Sequence, residues 1–123
     1  LLRARPLRTP AHAAEHTLID VTPELPLFRY FLDAPGGRPE LHFARVLRLG
    51  TIQAIARGVR EGEGVAVLPR YYVAPRLAKG ELTELFPKVV PAEDLFRLVF
   101  RADDPRRSLF ESVAAVLRAS PLR

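Results

Sequence analysis

Gly58-Val-Arg-Glu-Gly-Glu-Gly-Val-Ala-Val-Leu-Pro69 is the stretch that decides the fold. It reads as the last turns of a helix, a glycine stop, a short buried strand and an abrupt proline exit. Upstream, Ile52, Ile55, Ala56 and Val59 fall at i, i+3, i+4 and i+7, one apolar stripe on a helix. Gln53, Arg57, Arg60 and Glu61 take the opposite face. Gly62 stops the helix where a left-handed residue is needed. Residues 64–68, Gly-Val-Ala-Val-Leu, are apolar throughout and suit a strand covered on both faces, as in a parallel sheet. Ligands in open α/β sheets bind at the carboxyl-end loops of such strands.

The 123 residues suffice for one domain with a real core and are too few for two ordinary ones. With 48% hydrophobic and 27% charged residues, the composition is that of a soluble globular protein. No apolar run approaches the ~20 residues of a membrane span, and Leu1-Leu-Arg-Ala-Arg-Pro6 lacks the apolar core of a signal peptide. A start without methionine reads as a cut inside a longer protein. Cysteine is absent, which excludes disulfides, thiolate catalysis and zinc–sulfur sites and agrees with a reducing cytoplasm. The net charge of +5 comes almost wholly from arginine, scattered singly apart from Arg106-Arg107. Nucleic-acid contact is one reading of that charge. With no basic run and no aromatic-interleaved stripe, a solvated surface is the better one.

Outward from the decisive stretch, residues 1–16 form a basic, proline-punctuated lead-in with a turn of helix. Residues 17–21 make a short strand. Thr22-Pro23-Glu24 starts a helix, with a hydroxyl at the N-cap and proline at N1, which buries Leu25, Phe28, Phe31 and Leu32 and ends at Pro35-Gly36-Gly37. Residues 41–49 alternate as a strand, with Leu41, Phe43, Leu47 and Leu49 on the apolar face and Arg45 its exception. Pro75 opens a short helix closed by Gly80. Residues 82–86 and 95–100 are further strands. Ser108 and Glu111 fit a capping box for a last helix that turns Leu109, Val113, Val116 and Leu117 inward. Alternation of this kind predicts an α/β sheet.

Motifs for catalysis or cofactors are missing. Gly62-Glu-Gly64 follows a helix and opens a strand, the reverse of a phosphate loop. His12 and His16 are four apart but lack the glutamate placement of a zinc-protease helix, and His42 has no obvious acid beside it. All three are expected to be structural or solvent-facing. Ser108 is explained as a cap and Ser112 as a helix-surface residue, with no nucleophile elbow around either. Asp103-Asp104 suits a turn before proline, and adjacent acids point apart. The expectation is neither an enzyme nor a metal or cofactor protein.

The best site candidate joins two strand ends. Tyr71 and Tyr72, after Pro69, suit a ligand mouth, although packing across the sheet end explains them as well. Gly50-Thr51 follows the preceding strand, and its amides open a helix whose N-terminus favours carboxylates and other anions.

Gly50-Thr-Ile-Gln-Ala-Ile-Ala-Arg-Gly-Val-Arg-Glu-Gly-Glu-Gly-Val-Ala-Val-Leu-Pro-Arg-Tyr71, followed by Leu77-Ala-Lys-Gly-Glu-Leu82, closely resembles the C-terminal half of LysR-type transcriptional regulators. There the effector domain has a helix ending in a glycine turn, a strand of the form Gly-Val/Ile-Ala-x-Leu-Pro, and then Leu-x-x-Gly-x-Leu. Residues 10–20 match the start of that family's second lobe, and residues 95–101 with the helix after them match its return to the first lobe. The resemblance spans nearly the whole chain, and residues 50–82 are its most specific part. It implies a periplasmic-binding-protein-like α/β lobe with a mixed, mostly parallel sheet flanked by helices. Residues 1–16 would be the lead-in or hinge, 17–94 the second lobe, and 95–123 the hinge strand and C-terminal helix. It implies a small-molecule effector bound between lobes, for which the Gly50-Thr51 amides and the tyrosines suit a carboxylate or an aromatic compound. Leu49, Gly50, Thr51 and Ile52 on one loop, with Pro69, Arg70 and Tyr71 on the other, would face it. DNA contact would belong to an N-terminal winged helix-turn-helix outside these residues, and assembly would be a homodimer or homotetramer without membrane attachment. The rival reading is a stand-alone protein–protein interaction module that binds no ligand, and a nucleic-acid-binding module comes third.

Overall fold

The central strand β1, Thr17–Asp20, buries all four of its side chains. The computed structural model describes residues 6–120, in two units that meet between Glu93 and Asp94. In the first unit, β1 pairs in parallel with β2, Arg45–Arg48, in the register Thr17 to Arg45 through Asp20 to Arg48. On its other edge Leu18 forms a parallel bridge with Val65. There Ile19 N–H donates to the Val65 carbonyl at 2.7 Å, and Val65 N–H donates to the Thr17 carbonyl at 2.9 Å. The spatial order is therefore β2, β1, Val65, all parallel. Helices with a small parallel sheet agree with the α/β class that alternation predicted, with fewer strands than it led one to expect.

Helix α1, Phe28–Leu32, lies between β1 and β2 in sequence, and α2, Ile52–Arg60, joins β2 to Val65. The stripe read from the sequence faces inward on α2, where Ile55, Ala56 and Gly58 are buried. Thr51 caps the helix by accepting the Ala54 N–H at 3.1 Å, and Gly62 ends it with φ +83°. A β-carbon on Gly58 would stand 3.2 Å from Ile19 Cδ1, so α2 lies tightly on β1. On Gly64 it would overlap the Thr17 carbonyl oxygen. The second glycine of Gly62-Glu-Gly64 thus serves a close backbone approach. A second cluster gathers Leu7, Ala13 and Val65 with Leu41, Phe43, Leu85 and Phe86. Phe28 stacks on Phe31 at 5.4 Å and meets Phe43 edge-on at 5.6 Å, favoured geometries for aromatic pairs. The lead-in contains a 3₁₀ helix, Pro10–Glu15, with Ala13 and His16 buried.

Several elements depart from the sequence expectations. Helix α1 starts at Phe28 rather than after Thr22, because Pro26 disfavours helical geometry at Leu25. Leu25 is 68% exposed, and Thr22 Oγ1 only accepts the Leu25 N–H at 3.4 Å. The strand expected over 41–49 contracts to β2, all of whose residues are exposed, as suits a sheet edge. Leu41 and Phe43 pack on the core from irregular chain. Arg45 is no misfit on an apolar face, since its guanidinium donates to Thr17 Oγ1 at 3.2 and 3.3 Å. The strand expected over 64–68 is reduced to the single bridge of Leu18 with Val65, and residues 66–69 continue as irregular chain. The helix expected at Pro75 begins five residues earlier, as α3, Arg70–Ala78, with Pro75 inside it and Gly80 at φ +70° beyond it. Residues 82–86 form no strand. Phe86 adopts φ +49°, which breaks extended geometry, and Pro87 follows.

The second unit holds α4, Arg107–Ala119. Residues 95–100 do not form the expected strand, since no described segment of this unit pairs with them. Leu95, Phe96, Leu98 and Val99 are exposed. The capping box is also replaced. Ser108 lies inside the helix, its carbonyl accepting from Ser112 Oγ at 3.0 Å, while Glu111 pairs with Arg107 at 2.8 Å. Asp104, two residues before the N-cap Arg106, makes a turn that leads into the helix, its side chain accepting the Arg106 N–H and its carbonyl the Arg107 N–H. Leu109, Val113, Val116 and Leu117 are exposed rather than inward.

Candidate functional site

Because β1, β2 and the bridged segment at Val65 run parallel, their carboxyl ends open on one edge of the sheet. Three loops leave it: residues 21–27 after β1, 49–51 after β2, and 66–69 after Val65. The second and third carry the residues expected from the sequence. They are not neighbours, since β1 lies between them. At the usual strand spacing their origins are roughly 10 Å apart.

The middle loop is anchored by a residue that sequence reading passed over. Asp20 is 1% exposed. Its Oδ1 accepts the N–H of Val21 at 2.8 Å and of Leu27 at 2.7 Å, and its Oδ2 accepts from Phe28 at 3.2 Å. Arg48 Nη1 stands 3.7 Å from Oδ2 and donates to the Thr22 carbonyl at 3.2 Å. A buried carboxylate needs such partners, and here they fold the loop back onto α1. With its oxygens so engaged, Asp20 positions the edge rather than offering a base. The available signal was an acid closing an apolar strand.

On the β2 side, Leu49 is half-buried and its N–H donates to the Asp20 carbonyl at 2.8 Å. Gly50 has open space where a side chain would be. Thr51 Oγ1 is occupied as an acceptor by the Ala54 amide, which leaves its hydroxyl proton to donate. Ile52, half-buried, begins α2. At the far end of α2 the Glu61 carboxylate, hydrogen-bonded at 2.8 Å, raises the Arg57 pKa above its ordinary value.

On the Val65 side, Pro69 is the N-cap of α3, and its carbonyl accepts the N–H of Tyr72 at 3.0 Å and of Val73 at 3.3 Å. Arg70 pairs with Glu84 at 3.5 Å. Tyr71 is 38% exposed, whereas Tyr72 is half-buried beneath the Arg76 guanidinium, 5.7 Å from its ring centre. The first turn of α3 contains no acid, so Arg70 adds positive charge to the positive end of the helix.

A cavity of about 420 Å³ opens beside Val65, lined by Leu18 of β1, the phenylalanines around α1, and α3. Arg70 reaches it. Leu49, Gly50, Thr51, Ile52, Pro69 and Tyr71 are not in its wall. The three histidines do not converge. His12 accepts the Arg8 N–H at 3.4 Å, His42 lies exposed 3.2 Å from Glu40, and His16 is buried with neither ring nitrogen paired. Among the described residues no cluster of three His, Cys, Asp or Glu could hold a metal ion, and no helix is long and apolar enough to cross a membrane.

Compared with known proteins, residues 1–121 match the family described as the LysR substrate binding domain. No curated protein and no solved structure matches the chain.

Proposed function

This chain belongs to the LysR substrate binding domain family, and from that premise we propose that it is the effector-sensing part of a bacterial transcription regulator. The family consists of regulators rather than enzymes. In this reading the described units are one lobe of a periplasmic-binding-protein-like domain and the return to its partner lobe. The loops carrying Leu49, Gly50, Thr51 and Ile52, and Pro69, Arg70 and Tyr71, form one lip of the effector cleft. A small molecule held there biases lobe closure, and with it the packing of a homodimer or homotetramer and the spacing of the parent's DNA-binding heads. A ligand that prefers one arrangement shifts the population toward it. The setting is the cytoplasm.

The observation that carries the reading is the common edge formed by the ends of two parallel strands and the bridged segment at Val65. Two of its loops open helices, at Thr51 and at Pro69, and helix N-termini suit a carboxylate. Asp20 holds the intervening loop in place. The exposed apolar residues of the second unit, among them Phe96, Val99 and Val116, are what the rival interaction module would use.

A thermal-shift screen of small carboxylates and aromatic compounds on the effector domain tests this. A ligand specific to the native state at 100 times its Kd adds about 2.7 kcal/mol. At least one compound is expected to raise Tm, and Thr51→Val is expected to weaken that response. A screen without any stabilisation would count against the cleft.

A further inference from the structure

The cavity beside Val65 is amphipathic in a way that the strand-end loops do not account for. Phe28, Phe31, Phe43, Val73 and Leu77 contribute to its apolar wall. Polar side chains enter the lining only at Arg70, Thr83 and Glu84. Arg70 and Glu84 touch through a single 3.5 Å contact, with 71% and 48% of their side chains exposed. Such an open ion pair contributes little, so a carboxylate from solution can replace Glu84 at small cost.

We infer that this cavity binds an amphipathic monocarboxylate, its hydrocarbon body against the phenylalanine wall and its carboxylate on Arg70 in place of Glu84. About 420 Å³ of space falls within the roughly 300–1,000 Å³ of small-molecule sites. The sign of the headgroup follows from the rim. A cationic amphiphile could pair with Glu84 only by leaving the Arg70 guanidinium without its counter-charge at the positive end of α3. A neutral one would leave the Arg70–Glu84 pair intact and gain apolar burial alone. A carboxylate gains both the burial and a charge-assisted hydrogen bond to a planar guanidinium. The cavity is a second site that shares only Arg70 with the strand-end lip proposed above, and it rests on that reading for its consequence at DNA but not for binding.

The test is calorimetric titration of the full chain with decanoate below its micellar concentration, with 1-decanol as the uncharged control. Decanoate is expected to bind about tenfold or more tightly than decanol. Arg70→Gln is expected to erase that difference while leaving decanol binding in place, and Leu77→Phe, which narrows the cavity, to weaken both. Retained decanol binding also shows that the Arg70→Gln chain is folded. Absence of decanoate binding, or equal affinities that Arg70→Gln does not alter, would overturn the inference. If Thr51→Val abolished decanoate binding and Arg70→Gln did not, the sensor reading would stand and the cavity site would fall. If decanoate bound through Arg70 without changing the parent regulator's affinity for DNA, the cavity site would stand and its place in the sensor would fall.

Discussion

At Gly64 a single methyl group would collide with the Thr17 carbonyl oxygen and come within 2.9 Å of Ile19 Cγ1. Neither neighbour is a free side-chain end: one is strand backbone and Ile19 is 1% exposed. Gly64→Ala is therefore expected to destabilise the chain by about 2 kcal/mol or more, as overpacking against a rigid core does. Urea unfolding checks this, and an unchanged midpoint would contradict the close approach of Val65 to β1. Asp20→Asn keeps the shape but removes the charge that three backbone amides and Arg48 address. A loss of about 1–3 kcal/mol is expected from the weakened charged hydrogen bonds, with the Leu27 and Phe28 amides exchanging hydrogen faster. The turn role of Gly62 was legible because a helix stop is a local event. The roles of Gly64 and Asp20 were not, because the partners of each arrive only when distant segments fold.

Among the elements, α2 followed its sequence closely and α4 only in part. A 3.6-residue apolar stripe and an adjacent β1 agree on which face of α2 is buried, and Ile55 is fully covered. In α4 the same periodicity fixes the helix without supplying a surface to cover it. Residues 95–100 likewise have β-like composition but no ladder partner in their unit, and a strand requires one. Start signals misled where a competing group was nearer the helix end. Pro26 displaced the start of α1, and an Asp104 turn leads into α4 where a Ser108 cap was expected. That turn carries a pH dependence. The Arg106 guanidinium, hydrogen-bonded to the Asp104 carboxylate, and then the Arg106 N–H hold the Asp104 pKa below its ordinary 3.8. A depressed folded-state pKa contributes stability that is present above the unfolded value and is lost as pH falls through the folded one. Acidification below about pH 4 is therefore expected to loosen the start of α4, read as faster amide exchange at Arg106 and Arg107. Asp104→Asn is expected to flatten that dependence. An identical acid profile in both proteins would contradict the role of the Asp104 turn.

At the scale of the whole molecule, the order β2, β1, Val65 brings two strand ends and a bridged segment to one edge, with the Thr51 and Pro69 loops on either side of β1. The α/β class and the two candidate loops were legible from alternation and from the resemblance of residues 50–82. The intervening strand was not, because sequence order does not state spatial order. Family membership across residues 1–121 makes this edge a sensing surface in the proposed reading, and a sensor must convert binding at the edge into a change at DNA. By linkage, a ligand that alters DNA affinity must itself bind differently when DNA is present. The most direct measurement is the operator affinity of the parent regulator, with and without a compound that stabilises this domain, in the native protein and in Thr51→Val. The account predicts a ligand-dependent change of about fivefold or more in the native protein that is reduced or absent in Thr51→Val. An operator affinity indifferent to every stabilising compound would contradict it.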